Sequence, residues 1–381
     1  MKLMKRIVCV ILCILTLFSV NIAAAAEEPA VFGKSVILYE ANTGQVLYSK
    51  NADTKLAIAS VTKAMTLLIL AEELESGRLS LEEKVKASGN ASGAEGSSIW
   101  LNVGEEMTAA ELLEAVIVSS ANDACIALAE HISGSEAEFV KRMNKRAKEL
   151  GMTSTRYKNC TGLDEDGHYS TARDTALVTA ELMTHEDYRG GFLTWLDYLR
   201  GGETQLVNTN KLIRYYDGIL GGKTGTTDAA GYCLTACAEK NGMRLVAVTL
   251  GCESDDERFD ECEALLDYGF EDFELFTPEI DYNKLLPIKI TRGTLSETSP
   301  IVSRQGEACV IPKGRAAAVK YEYTFVEELA APVKKGQFAG EYLVTVDGAE
   351  VFRSDIVTKE SVPEMTFLRC LVLILQEIIT F

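Results

Sequence analysis

Three short runs in this chain carry the residue types that acyl transfer requires. Ser60-Val61-Thr62-Lys63 comes first, Ser120-Ala121-Asn122 second and Lys223-Thr224-Gly225 third. Attack on a peptide carbonyl needs a nucleophile, a base, donors for the developing oxyanion and a proton route to the leaving amine. Ser60 and Lys63 are three residues apart, so both share one helix face if Ala59-Ser60 opens a helix. The positive end of that helix would then favour negative charge beside Ser60. Lysine titrates near about 10.4 in water, and it accepts a proton only where its neutral form is favoured. A desolvated pocket and a second cation both act in that direction, and Lys223 is the candidate cation.

The other two runs supply the remaining parts. The Ser120 hydroxyl can relay a proton to the leaving nitrogen, and the Asn122 amide can hold the substrate backbone. Gly225 would let a ligand approach the strand edge closely. The backbone N–H of Thr226 is then a second oxyanion donor beside that of Ser60, and Thr224 could bind a substrate carboxylate next to Lys223. Each fragment alone has an ordinary explanation: a serine opening a helix is usually an N-cap, and Lys-Thr-Gly is often a turn. Their joint occurrence is what points to a site. A histidine triad is the wrong scheme, because only His131, His168 and His185 exist and none has a serine elbow near it.

These residues need elements to carry them. Residues 35–39 and 46–48 flank Asn42-Thr43-Gly44 as a β-hairpin. Helical character follows over 62–74 and again over 108–131, the second stretch holding Asn122 within a helix or at its edge. Residues 136–150 read as a helix stopped by Gly151. Residues 231–238 and 244–251 are strand-like, joined at Lys240-Asn241-Gly242, and 262–268 reads as a closing helix. Strands at both ends with helices between them predict an α+β domain over 27–275. From 276 to 363 short β-rich runs separated by glycine turns predict a small all-β domain.

The ends of the 381-residue chain differ from its body. Lys2, Lys5 and Arg6 precede an apolar stretch over 7–20, and Ala23 to Ala26 follow, which predicts a secretory signal peptide over 1–26. The alternative, a permanent N-terminal membrane helix, fits the short apolar stretch less well. Residues 364–381 predict an amphipathic helix: Thr366, Arg369, Gln376, Glu377 and Thr380 fall on one arc and apolar residues cover most of the rest. That pattern suits an in-plane membrane anchor, with packing against the chain's own body as the alternative. The formal net charge of −18 argues against nucleic-acid binding. Beyond the signal lie Cys125, Cys160, Cys233, Cys237, Cys252, Cys262, Cys309 and Cys370. They read as small buried hydrophobes, with a disulfide open to an exported chain and no zinc-type pairing.

With its three motifs, the chain resembles D-alanyl-D-alanine carboxypeptidases, the low-molecular-mass penicillin-binding proteins, over essentially all of its mature length. Gly167-His168-Tyr169-Ser170-Thr171-Ala172-Arg173-Asp174, Asn208-Thr209-Asn210-Lys211-Leu212 and the run from Lys223 to Cys233 extend the likeness, which is nearest to the Gram-positive branch with sporulation-associated members. The resemblance implies a transpeptidase-like catalytic domain, a β-rich C-terminal domain, an amphipathic anchor and an exported enzyme on the outer face of the cytoplasmic membrane. It implies peptidoglycan stem peptides as substrate, β-lactams as covalent inhibitors and no cofactor or metal. Ser60 becomes the acylated nucleophile, Lys63 the base, Ser120, Asn122 and Lys223 the rest of the site, and Arg258 a residue near the substrate carboxylate. Ala121 replaces a common glycine, tolerable if its φ is negative, and Thr226 replaces a histidine found in some members.

Two rivals stand beside this reading. A class A β-lactamase shares the trio, but its usual Glu-x-x-Asn pattern is missing from 160–185. A non-catalytic envelope-binding protein would not need Ser60, Lys63, Ser120 and Lys223 all intact.

Overall fold

The computed structural model describes residues 28–380; the predicted signal peptide lies outside them. Ser35–Glu40 (β1) and Val46–Lys50 (β2) form the expected hairpin. Lys63–Glu75 (α1) follows, then the small ribbon Lys84–Lys86 (β3) with Glu106–Thr108 (β4), and the single turn Gly89–Ser92 (α2) between them. Ala109–Val118 (α3), Asn122–Ser133 (α4) and Glu136–Glu149 (α5) make a helical block. Ala172–Leu182 (α6) and Glu186–Phe192 (α7) precede the ribbon Leu196–Leu199 (β5) and Thr204–Val207 (β6). Ile219–Thr227 (β7), Gly231–Lys240 (β8) and Met243–Cys252 (β9) complete the main sheet, and Asp255–Asp272 (α8) closes this part.

The main sheet is antiparallel in the order β2-β1-β9-β8-β7, so the first hairpin and the Lys223 strand lie on opposite edges. Strand alternation divides its side chains between two cores. Ile37, Val246 and Val248 pack with α1, α3, α4 and α6 on one side. Val36, Leu38, Leu245 and Ala247 pack with Phe259, Cys262, Leu265 and Leu266 of α8 on the other. Helix α1 is buried along almost its whole length, apolar around most of its first three turns and acidic only near its end, where buried Glu73 pairs with Arg78 and Arg142. Asn241 (φ 53°) and Gly242 (φ 80°) take the paired left-handed turn that joins β8 to β9 without splaying them.

Three helical expectations shift. The single helical stretch over 108–131 is two helices, broken at Ser119-Ser120-Ala121, where Ser120 takes φ 61°. The closing helix begins at Asp255, not near 262. Ser254 caps it, and Asp255, Asp256 and Glu257 fill its first turn, where negative charge is stabilised. Helix α5 ends one turn-closing residue before Gly151, whose φ of 77° supplies the left-handed stop.

The β-rich part begins at Phe273–Phe276 (β10), so the junction expected between 275 and 276 falls inside a strand. Ile288–Thr291 (β11), Glu297–Thr298 (β12), Pro300–Val302 (β13), Cys309–Pro312 (β14), Val319–Phe325 (β15), Leu329–Ala330 (β16), Phe338–Val346 (β17) and Ala349–Thr358 (β18) follow. Strand β10 pairs with β14, and the larger sheet runs β13-β18-β17-β15 around Tyr342, Val344, Phe352 and Ile356. The side chain of Gln45 joins the two parts by a reciprocal pair with Val310, donating to its O at 3.2 Å and accepting from its N at 2.5 Å. Helix α9 (Phe367–Thr380) ends the described chain and leaves Phe367, Leu368, Leu371, Val372, Ile374 and Leu375 exposed. Among the described residues no helix is long and apolar enough to cross a membrane, and all eight cysteines are free, only Cys370 being exposed.

Candidate active site

Ser60 sits in a 3₁₀ turn, Ala59–Thr62, that runs straight into α1. Lys63 opens the helix, and its Nζ lies 2.8 Å from Ser60 Oγ and donates to the Thr161 carbonyl at 2.8 Å. Lys63 is 0% exposed, and burial pushes its ammonium down to about 8. The same separation serves a neutral amine accepting the Ser60 proton. The turn is held from behind by His168, whose Nε2 meets Thr62 Oγ1 at 2.8 Å and which burial pushes down to about 4, so it braces as a neutral ring.

Lys223 lies mid-strand in β7 and is 1% exposed. Burial, then the charges of Lys63 and Arg258, push it well below the ordinary lysine range. The expected second cation thus registers mainly at Lys223, while desolvation is the leading cause at Lys63.

The Gly225 position has a reason beyond the one expected. A Cβ there would stand 2.8 Å from Ser60 N and from Ile58 O, and 2.9 Å from Val61 N. Glycine is needed so that the strand can approach the Ser60 turn itself. Strand β7 pairs with β8 alone in the sheet, so its other edge faces this turn with its main chain free of sheet partners. Thr224 Oγ1 donates to Thr209 Oγ1 at 2.6 Å. Arg258 is 7% exposed and its Nη1 donates to Gly225 O and Thr226 Oγ1, both at 3.1 Å, while Nη2 pairs with Asp255.

The break between α3 and α4 delivers the middle motif. Ala121 has φ −61°, so alanine is tolerated there, and the left-handed residue is Ser120. Asn122 donates Nδ2 to Glu95 O and its backbone N to Ser97 O, each at 2.6 Å. Ser120 Oγ and Asn122 Oδ1 are buried without a protein partner, which leaves both for a ligand.

Residues 22–254 match the family described as D-alanyl-D-alanine carboxypeptidase. The chain belongs to that family. Residues 288–364 match the C-terminal domain of penicillin-binding protein 5. The D-alanyl-D-alanine carboxypeptidase DacF of Bacillus subtilis is 40% identical over 90% of this chain and 89% of its own. Penicillin binding protein 5 from Haemophilus influenzae superposes with a TM-score of 0.80 at 29% identity, covering 89% of this chain and all of that one. Penicillin-Binding Protein D2 from Listeria monocytogenes, in its ampicillin-bound form, superposes at 0.59 with 30% identity over 64% of this chain and all of that one.

Several residues of this carboxypeptidase site were not found by motif. Thr161 supplies the carbonyl that fixes Lys63. Gly162 (φ 89°) lets that segment touch the Ser60 turn, since a Cβ would lie 1.9 Å from Ala59 O. Asn159 Oδ1 accepts from Gly162 N at 2.7 Å, a turn signature visible in the sequence but without any clue to its neighbour. Thr209 lay within a motif quoted for the resemblance, yet nothing there tied it to Thr224.

Two outcomes follow from this geometry. Gly225→Ala should slow acylation by labelled penicillin by about two orders of magnitude, since a displacement of about 1 Å at the reacting atoms costs that much; an unchanged rate would show that the turn yields freely. Below about 8 Lys63 keeps its proton, so acylation should rise with pH and level off above that value. A rate independent of pH between 6 and 9 would exclude Lys63 as the base.

Proposed function

We propose that Ser60 is the nucleophile with which this serine-type D-alanyl-D-alanine carboxypeptidase removes the terminal D-alanine of peptidoglycan stem peptides. The observation that carries the assignment is the 2.8 Å contact between Ser60 Oγ and a fully buried Lys63 amine. Neutral Lys63 takes the Ser60 proton as Oγ attacks the carbonyl of the penultimate D-alanine. The backbone N–H groups of Ser60 and Thr226 receive the oxyanion. Ser120 Oγ relays the proton from Lys63 to the departing nitrogen, receiving one as it gives one, and Asn122 holds the amide of the acyl portion. Water then cleaves the ester and frees the enzyme.

The terminal carboxylate is assigned to Lys223 and Thr224, with Arg258 adding positive charge. An arriving carboxylate favours the charged form of Lys223, restoring the ammonium that burial disfavours. A β-lactam enters by the same attack and leaves Ser60 esterified. An extended substrate can lie along the free edge of β7 as an added strand, its main chain providing affinity and its side chains specificity.

The chain is assigned to the cell envelope: a signal peptide over 1–26, the catalytic domain over 27–272, a β-rich domain from β10 to 363 and a membrane anchor over 364–381. The exposed apolar side chains of α9 support the last assignment.

Purified protein should release D-alanine from a muramyl pentapeptide mimic and carry labelled penicillin on Ser60, with Ser60→Ala taking up no label. Mass spectrometry finding the adduct on another residue would overturn the assignment. Deleting residues 364–381 should release active protein from membranes; a truncated chain that still sediments with them would remove the anchor.

A further inference from the structure

The turn formed by residues 95–101 borders Asn122 and has no part in the steps above. Besides the two hydrogen bonds to Asn122, it passes so close at Gly96 (φ 81°) that a Cβ there would stand 2.9 Å from Asn122 Nδ2. The next residue of α4, Asp123, is fully buried and gathers Ser98 Oγ at 2.6 Å, Ile99 N at 3.1 Å and Leu101 N at 3.0 Å. Arg200 Nη1 closes on Ile99 O at 2.9 Å. Ile99 and Leu101 are buried, and between them Trp100 has φ 56° and is 78% exposed.

A single exposed apolar residue needs no explanation. This one is different on two counts. A left-handed backbone at a bulky residue persists only where its surroundings over-determine it, and such strain gathers at functional sites. The hydrogen bonds that impose it go to Asp123, the next residue after Asn122, and the same turn is tied to Asn122 itself through Glu95 O and Ser97 O. Trp100 is three residues from Ser97, so its backbone stands within about 11 Å of the contact with Asn122.

We propose that Trp100 is a specificity-determining residue, its indole receiving the long amine-bearing side chain of the residue that precedes the D-alanyl-D-alanine pair. The proposal rests on the carboxypeptidase reading. With the terminal carboxylate at Lys223 and the scissile bond at Ser60, the acyl portion leads past Asn122, and the residue before the pair is the first to meet this wall. Tryptophan is the best aromatic partner for an ammonium group. The aliphatic stem of such a side chain lies along a ring while its charged head stays in water, and exposed Glu95 begins the same turn with the opposite charge.

The test is steady-state kinetics of the full chain on acetyl-X-D-Ala-D-Ala with X as lysine, Nε-acetyl-lysine or alanine. Wild type should favour lysine in kcat/KM by about three- to fivefold, the range of an exposed cation–π contact, with the difference in KM. W100A should collapse that ratio to about one and W100F should keep part of it. Equal use of the three peptides by wild type, or a ratio that survives in W100A, would overturn the proposal. A uniform fall in all three with the ratio intact would make Trp100 a brace and overturn it equally. Failure of wild type to cleave any peptide would instead strike the carboxypeptidase reading beneath it.

Discussion

An ammonium group taken out of water is the constraint around which this molecule is arranged. Lys63 cannot act as a base at ordinary pH unless its charge is made costly, and burial in the interior of the helical block makes it so. Yet a buried amine with no partner would itself be penalised, so the Thr161 carbonyl and Ser60 Oγ occupy its hydrogen-bonding positions. Helix α1 meets both demands by burying Lys63 at its first turn, directly after the Ser60 turn, among apolar residues such as Met65, Leu67, Leu68 and Leu70, while its acidic residues Glu72, Glu73 and Glu75 stand in its last turns. The neighbouring segment is pinned as well, with Cys160 O accepting from Thr66 Oγ1 at 2.8 Å and from Cys125 Sγ at 3.2 Å.

Close approach of backbones supplies what side chains could not. Gly162 and Gly225 come to the Ser60 turn from two segments, and at both a methyl group would collide with main-chain atoms of that turn. Ser60 is therefore clamped by peptide groups, which have few alternative positions, while the other polar side chains of the site are delivered by a helix start, an interhelical break and an edge strand. Left-handed backbone at Ala59 and Ser120 marks where the clamp bends the chain against its preferences.

What was legible in the sequence was local. The three-residue spacing of Ser60 and Lys63 survives because a helix fixes it, and the hairpins at Asn42-Thr43-Gly44 and Lys240-Asn241-Gly242 follow from turn chemistry. The break at Ser120 was not legible, since 108–131 is apolar enough to read as one helix and nothing local demands a left-handed serine. Thr161 was beyond reach for another reason: its contact with Lys63 joins residues 98 apart, and no pattern encodes that. The second reason for Gly225 was hidden likewise, because the obstacle is a turn distant in sequence. The start of α8 was missed because its acidic first turn resembles a loop in composition.

The sheet order has a mechanical corollary. The β-rich part grips the first hairpin through the Gln45–Val310 pair, at the margin occupied by β2, while β7 forms the far margin. Four strand spacings of about 4.8 Å separate those two margins. Whatever load or tether acts on the C-terminal end is thus taken up on the side remote from the chemistry. The unpaired edge of β7 is therefore left clear on the flank opposite that attachment.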